Sequence, residues 1–148
     1  IINKLQSRGY QCMPEITPPN LDLKIKKNKS IISEFIFSER IKQYNNNQAI
    51  CFYDRSLIDV VAYMHFWDLK YPNTWDNDIT RLRYSENIFY TPLWCDIYEK
   101  TNHRKETIQE AEKIDFFLQK AFVKYQYNII EVPKLDVLKR LDFIINNL

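Results

Sequence analysis

Apolar and polar positions change rhythm repeatedly along this chain. Ile1, Ile2 and Leu5 share a helical face, so a helix is predicted over residues 1–8, stopped at Arg8-Gly9. Residues 10–15 read as a short strand ended at Pro14-Glu15. Residues 16–30 carry no period: Pro18-Pro19 breaks the chain, and the run KIKKNKS is charged and solvated, which predicts a loop. Ser30 is placed to cap a helix over 31–45, with Ile32, Phe35, Ile36 and Ile41 at helical spacing, and NNNQ ends it. Residues 49–54 are apolar without alternation, the pattern of a buried strand. A helix follows over 57–69, with Val60, Val61 and Met64 inward, broken at Pro72 and Asn73. A short helix over 75–83 and a strand over 87–93, stopped by Pro92, come next. After an irregular charged connection at 94–105, a long helix over 105–125 carries the stripe Ile108, Ala111, Ile114, Phe117, Leu118, Ala121 and Phe122. A strand over 127–132, ended by Pro133, and a helix over 135–148 complete the pattern.

Helices alternating with strands predict an α/β domain whose parallel sheet is covered on both faces, a three-layer arrangement. The 148 residues suit one such domain. Ligands of parallel sheets bind outside the carboxyl ends of the strands. That rule places Glu15, Asp54, the 92–94 segment and Pro133-Lys134 on a common rim.

Composition narrows the function classes. Basic and acidic residues number 21 and 19, a formal net charge of +2, so no electrostatic case for nucleic acid arises. No apolar run approaches the roughly 18 residues that span a bilayer. Residues 1–4 read as the start of a helix rather than a signal peptide, and a cytoplasmic setting is expected. Cys12, Cys51 and Cys95 are widely spaced and read as buried reduced thiols rather than zinc ligands. The chain has one glycine, Gly9, and begins without Met in the middle of a helical pattern. The expectation is an N-terminus missing from the given sequence.

Chemistry concentrates at the stretch AICFYDRSLIDVVAYM, residues 49–64. A carboxylate such as Asp54 at a strand's carboxyl end can hold Mg²⁺, usually through water, while the metal bridges nucleotide phosphates. Arg55 beside it can neutralise phosphate charge. Asp59, one turn into the helix, can orient Arg55 or touch a substrate. The competing reading is that Asp54 and Ser56 simply cap the helix. Glu15 can serve as a general base toward a substrate hydroxyl, or be a solvated acid before a loop. Arg104, in YEKTNHRKE, can close over a phosphate site or be a solvated loop residue. Arg81 and Arg83 are weaker candidates for an anionic substrate pocket. His65 and His103 suggest neither a ligand nor a triad. Phe66, Trp67, Tyr71 and Trp75 read as core or lid packing.

The blocks LQSRGYQCMPEI, SEFIFSERIKQY, FYDRSLIDVVAYM, IYEKTNHRKE, QEAEKI and YNIIEVPK resemble, in order and spacing, the AAA-type ATPases similar to the ribosylnicotinamide-kinase domain of NadR. That group also includes a eukaryotic GTP- and phosphoinositide-binding trafficking protein. The resemblance covers nearly the whole chain apart from residues 16–30, and DRSLIDVVAYM and SERIKQY are its most specific pieces. It implies a P-loop kinase-like fold, with the Walker A loop G-x-x-x-x-G-K-[ST] directly ahead of Ile1. It implies a nucleotide, ATP or GTP, with Mg²⁺ held by Asp54, and an unidentified small-molecule acceptor or regulatory partner. Arg55 and Ser56 complete the motif of Asp54. Arg104 matches the arginine of the lid, and Glu15 matches the acid after the second strand. Pro133 and Lys134 sit where related kinases pass backbone groups along the base. Where the family often has an Arg after its Pro-Glu pair, this chain has ITPPN, and Thr101 stands where the lid often carries an acid. A kinase or ATPase is the leading implication. A nucleotide-gated binding module with little turnover, or a degenerate P-loop domain, stands beside it. The acceptor pocket is expected from residues 16–45 and 66–84.

Overall fold

The computed structural model describes residues 1–18, 28–45, 50–95 and 106–148. In chain order they form α1 (Ile2–Ser7), β1 (Gln11–Met13), α2 (Lys29–Asn45), β2 (Cys51–Tyr53), α3 (Leu57–Phe66), α4 (Thr74–Arg81), β3 (Asn87–Tyr90), α5 (Ile108–Lys124), β4 (Asn128–Glu131) and α6 (Val137–Ile145). The expected alternation is present, with strands shorter than the apolar runs that announce them. β1 pairs with β2 in parallel, Cys12 opposite Phe52, and β3 pairs with β4 in parallel, Ile88 opposite Ile129. Each pair is joined through a helix, as parallel neighbours require. Among the described residues the strands therefore pair two by two, in two two-stranded sheets.

The core is organised on α3. Leu57, Ile58, Val61 and Ala62 have no exposure, and Val60 and Met64 are nearly as buried. A helix with so wide an apolar face packs that face into the interior, and each large side chain so buried contributes about 1.5–3 kcal/mol. α2 and α5 pack along it. Phe37 of α2 stacks on Trp75 of α4, ring centroids 4.1 Å apart and planes 5° from parallel. Ala121 and Phe122 of α5 join the same cluster.

The buried edge of α2 differs from the expected one. Ile32, Phe35, Ile36 and Ile41 are half-buried, while Ser33, Phe37 and Arg40 are the fully buried residues. The helix is also capped two residues earlier than expected, because Asn28, not Ser30, accepts from the Ile31 amide through Oδ1 at 3.3 Å. Cys12 and Cys51 are half-buried and Cys95 is exposed, none of them in a disulfide, so the expectation of buried thiols is corrected.

Scarcity of glycine shows at the helix ends. α1, α3 and α5 close with the same pair of backbone hydrogen bonds, for example Leu69 N–H to Met64 O at 2.9 Å and Asp68 N–H to His65 O at 3.1 Å. That motif needs a left-handed residue, usually glycine. Gly9 supplies it after α1 with φ 88°, but Asp68 (φ 54°) and Gln126 (φ 58°) supply it after α3 and α5. No helix among the described residues is long and apolar enough to cross a membrane.

Candidate functional site

The carboxyl ends of β1 and β2 lie side by side. The Asp54 amide donates to Met13 O at 3.0 Å, carrying the ladder one step past the strands. The residues that follow, Glu15 on one chain and Arg55 on the other, meet directly: Arg55 Nε and Glu15 Oε1 are 2.7 Å apart. Arg55 reaches that position with φ 73°, a left-handed conformation costly for a residue with a Cβ. Its Nη1 donates to the Tyr63 hydroxyl at 3.3 Å, and its guanidinium lies 5.6 Å from the Tyr63 ring centre. Glu15 and Tyr63 thus orient Arg55, where Asp59 was the expected partner.

Ser56 and Asp59 form a capping box. Ser56 Oγ accepts from the Ile58 amide at 3.2 Å, and Asp59 Oδ2 accepts from the Ser56 amide at 2.7 Å. Two free amides at the start of α3 are thereby satisfied. The capping reading is correct for Ser56, and Asp59 shares it. Asp54 is left out of the box. Among the described residues its carboxylate accepts no hydrogen bond, and burial together with the nearby charge of Glu15 pushes the carboxyl above the usual range.

Two further residues complete this corner. Arg40 of α2, 2% exposed, donates Nη1 to Asp54 O at 3.2 Å and to Arg55 O at 2.8 Å. Tyr84 accepts from the Leu57 amide through its hydroxyl at 3.4 Å, and its ring packs edge-on to Tyr53 with centroids 5.1 Å apart. The sequence reading passed over Arg40, Tyr63 and Tyr84. Tyr63 had a signal, lying one helical turn past Asp59 and two past Arg55. Arg40 had one too, since it falls at i+3 and i+4 from Phe37 and Ile36 on an apolar stretch. Tyr84 had none, because it follows a helix end and reaches α3 only in the folded chain.

Other candidates lie elsewhere. Arg83 donates from Nη1 to Tyr125 O at 2.8 Å and from Nη2 to Gln126 O at 2.6 Å, with its guanidinium 4.4 Å over the Tyr127 ring. It holds the carboxyl end of α5 rather than facing the Asp54 corner. Arg81 pairs with Asp78 at 2.8 Å within α4 and is exposed. Pro133 and Lys134 follow the other strand pair, where the Val132 amide donates to Tyr90 O at 2.8 Å. Arg104, Thr101 and His103 lie outside the described residues, as does most of the 16–30 loop. A groove of about 350 Å³ opens between α2 and α4, lined by Glu34, Phe37, Ile41, Thr74, Trp75 and Asp78 among others. Those residues come from the two segments expected to build an acceptor pocket.

No group of three metal-ligating side chains occurs among the described residues. A dedicated protein cage for a metal is therefore not what this corner offers. One carboxylate without hydrogen-bond donors, beside a second acid, fits Mg²⁺ instead, which keeps several waters and takes one or two protein carboxylates together with phosphate oxygens.

In comparisons with known proteins, the family model described as AAA domain matches residues 1–140. Neither a curated protein nor a solved structure matches the chain.

Proposed function

The chain belongs to the AAA-domain family of P-loop NTPase type, a nucleotide-binding family, and on that premise we propose that it is an Mg-dependent, ATP-using enzyme, an ATPase or a small-molecule kinase. The observation that carries the proposal is the pair of acids on neighbouring strand ends. Asp54 is half-buried and carries no hydrogen bond on its carboxylate among the described residues, while Glu15, one strand over, is paired with Arg55. In this reading Asp54 holds Mg²⁺, which when bound shields the phosphate charges that develop during transfer. Arg55 sits where a phosphate oxygen can compete with Glu15 for its guanidinium. Moving Arg55 to phosphate frees Glu15 to accept the proton of an acceptor hydroxyl or of an attacking water. The family resemblance implies a further cation for the transferred group in Arg104, which lies outside the described residues. Ser56 keeps α3 in register beneath these groups. The similarity to the NadR kinase domain supports the kinase form.

Isothermal titration of Mg-ATP into the full-length chain and its Asp54→Ala variant is the deciding experiment. A drop in affinity of about a hundredfold in the variant, confined to titrations with Mg²⁺ present, is expected. Equal affinity and turnover in both would remove the metal role. Tight binding with no turnover would favour a nucleotide-gated binding module.

A further inference from the structure

One face of α2 grips both strand ends of the site. Gln43 Nε2 donates to Pro14 O at 3.1 Å, one residue ahead of Glu15. Arg40, one turn earlier, donates a single nitrogen to the two successive carbonyls of Asp54 and Arg55. Two adjacent carbonyls converge on one nitrogen only if the chain between them turns sharply, and the left-handed Arg55 provides that turn.

The arrangement is an expensive way to fill space. Arg40 is buried, its Nε has no hydrogen-bond partner, and among the described residues no carboxylate comes within ion-pairing distance of it. Burial lowers the affinity of its guanidinium for the proton, while the more distant charges of Asp59, Tyr84 and Glu15 act the other way. Taking a cation out of water with no carboxylate beside it is costly, and an apolar side chain would fill the same space without that cost. Packing alone therefore does not account for an arginine here.

Building on the nucleotide reading, we infer that Arg40 is the positioning residue of the site: it holds the Asp54–Arg55 turn, and so fixes where Asp54 presents its carboxylate and where Arg55 presents its guanidinium.

ATP binding as a function of Mg²⁺ concentration, measured on the full-length chain in wild type, Arg40→Met and Arg40→Lys, tests this. Arg40→Met is expected to stay folded, with the half-saturating Mg²⁺ concentration raised about tenfold and ATP affinity in EDTA weakened through the displaced Arg55. Arg40→Lys keeps the charge but not the planar fork, so the Mg²⁺ requirement should stay raised. In an Asp54→Asn background Arg40→Met should change Mg²⁺ dependence no further. Wild-type Mg²⁺ dependence in a folded Arg40→Met would overturn the inference. Should Arg40→Met fail to fold, Arg40→Lys decides, and an unchanged Mg²⁺ requirement there overturns it equally. If wild type itself binds no ATP, the nucleotide reading falls and the inference falls with it.

Discussion

At the contact of α4 with α5, the Asp76 carboxylate receives Tyr71 at 3.2 Å, Lys124 at 2.8 Å and the hydroxyl of Tyr125, and Lys124 donates in turn to Tyr71 at 2.9 Å. At the ends of β1 and β2, among the described residues, the Asp54 carboxylate receives no hydrogen bond, Arg40 is buried with no carboxylate in ion-pairing distance, and Arg55 is bent into a left-handed conformation. The titration of the two acids follows from this. Although burial opposes it, the hydrogen bonds from Lys124 and Tyr125 hold the Asp76 carboxyl below its ordinary value, whereas burial and Glu15 push that of Asp54 up. The first cluster fastens two helices. The second leaves a carboxylate without donors among the described residues and a backbone under strain, and strain of that kind collects where a protein binds or reacts.

The contrast can be broken at several points. Arg83 was a candidate for the substrate pocket, yet its bonds to Tyr125 and Gln126 assign it to the fastening side. Arg83→Met should therefore lower unfolding stability by about 2 kcal/mol and leave Mg-ATP affinity untouched; chemical denaturation and calorimetry read both. An affinity loss with intact stability would return Arg83 to the site.

Asp76→Asn should cost about 1–2 kcal/mol at pH 7, a figure reduced because the carboxyl is two-fifths exposed. Since the folded-state value is depressed, that stability is present above pH 3.8 and is lost as pH falls through the lower folded value. Melting curves of wild type and variant should accordingly converge on acidification.

Asp54→Asn should do the opposite. A raised folded-state value means that the cost of ionising Asp54 grows as pH rises from 3.8 through that value and persists above it. The variant should be more stable than wild type at pH 7, with no gain at pH 3, while Mg-dependent binding is lost. A variant no more stable at pH 7 would show that Asp54 is not under tension.

The smallest effect separates the three left-handed residues. Asp68→Gly and Gln126→Gly should each raise stability by about 0.5–1 kcal/mol without functional change. Arg55→Gly relieves the same strain but removes the side chain that pairs with Glu15, so a stability gain there should accompany weaker Mg-ATP binding.

Element order and parallel pairing were legible because the strands are short apolar runs bounded by prolines and the helices carry clear stripes. The two strand-end acids were legible for the same reason, since the carboxyl end of a strand is fixed once the strand is found. The partner of Arg55 was not. It depends on a left-handed turn, and Asp-Arg-Ser contains no glycine or asparagine to announce one. Nor was the buried edge of α2, whose apolar residues are spread around the helix, so that the fitted stripe ran beside the true one and hid Arg40. The role of Arg83 rests on carbonyls more than forty positions away, a separation that no local pattern records.

The deep burial of most of α3 bears on how the site endures fluctuation. Amides in the buried stretch of such a helix exchange with solvent only when much of the molecule opens. The helix begins at Leu57, immediately after Asp54, Arg55 and Ser56. Slow deuterium uptake is thus expected from Val60 to Met64, with β3 and β4 exchanging sooner. Partial openings that loosen the outer strands would leave the strand-end acids seated on the last segment to let go.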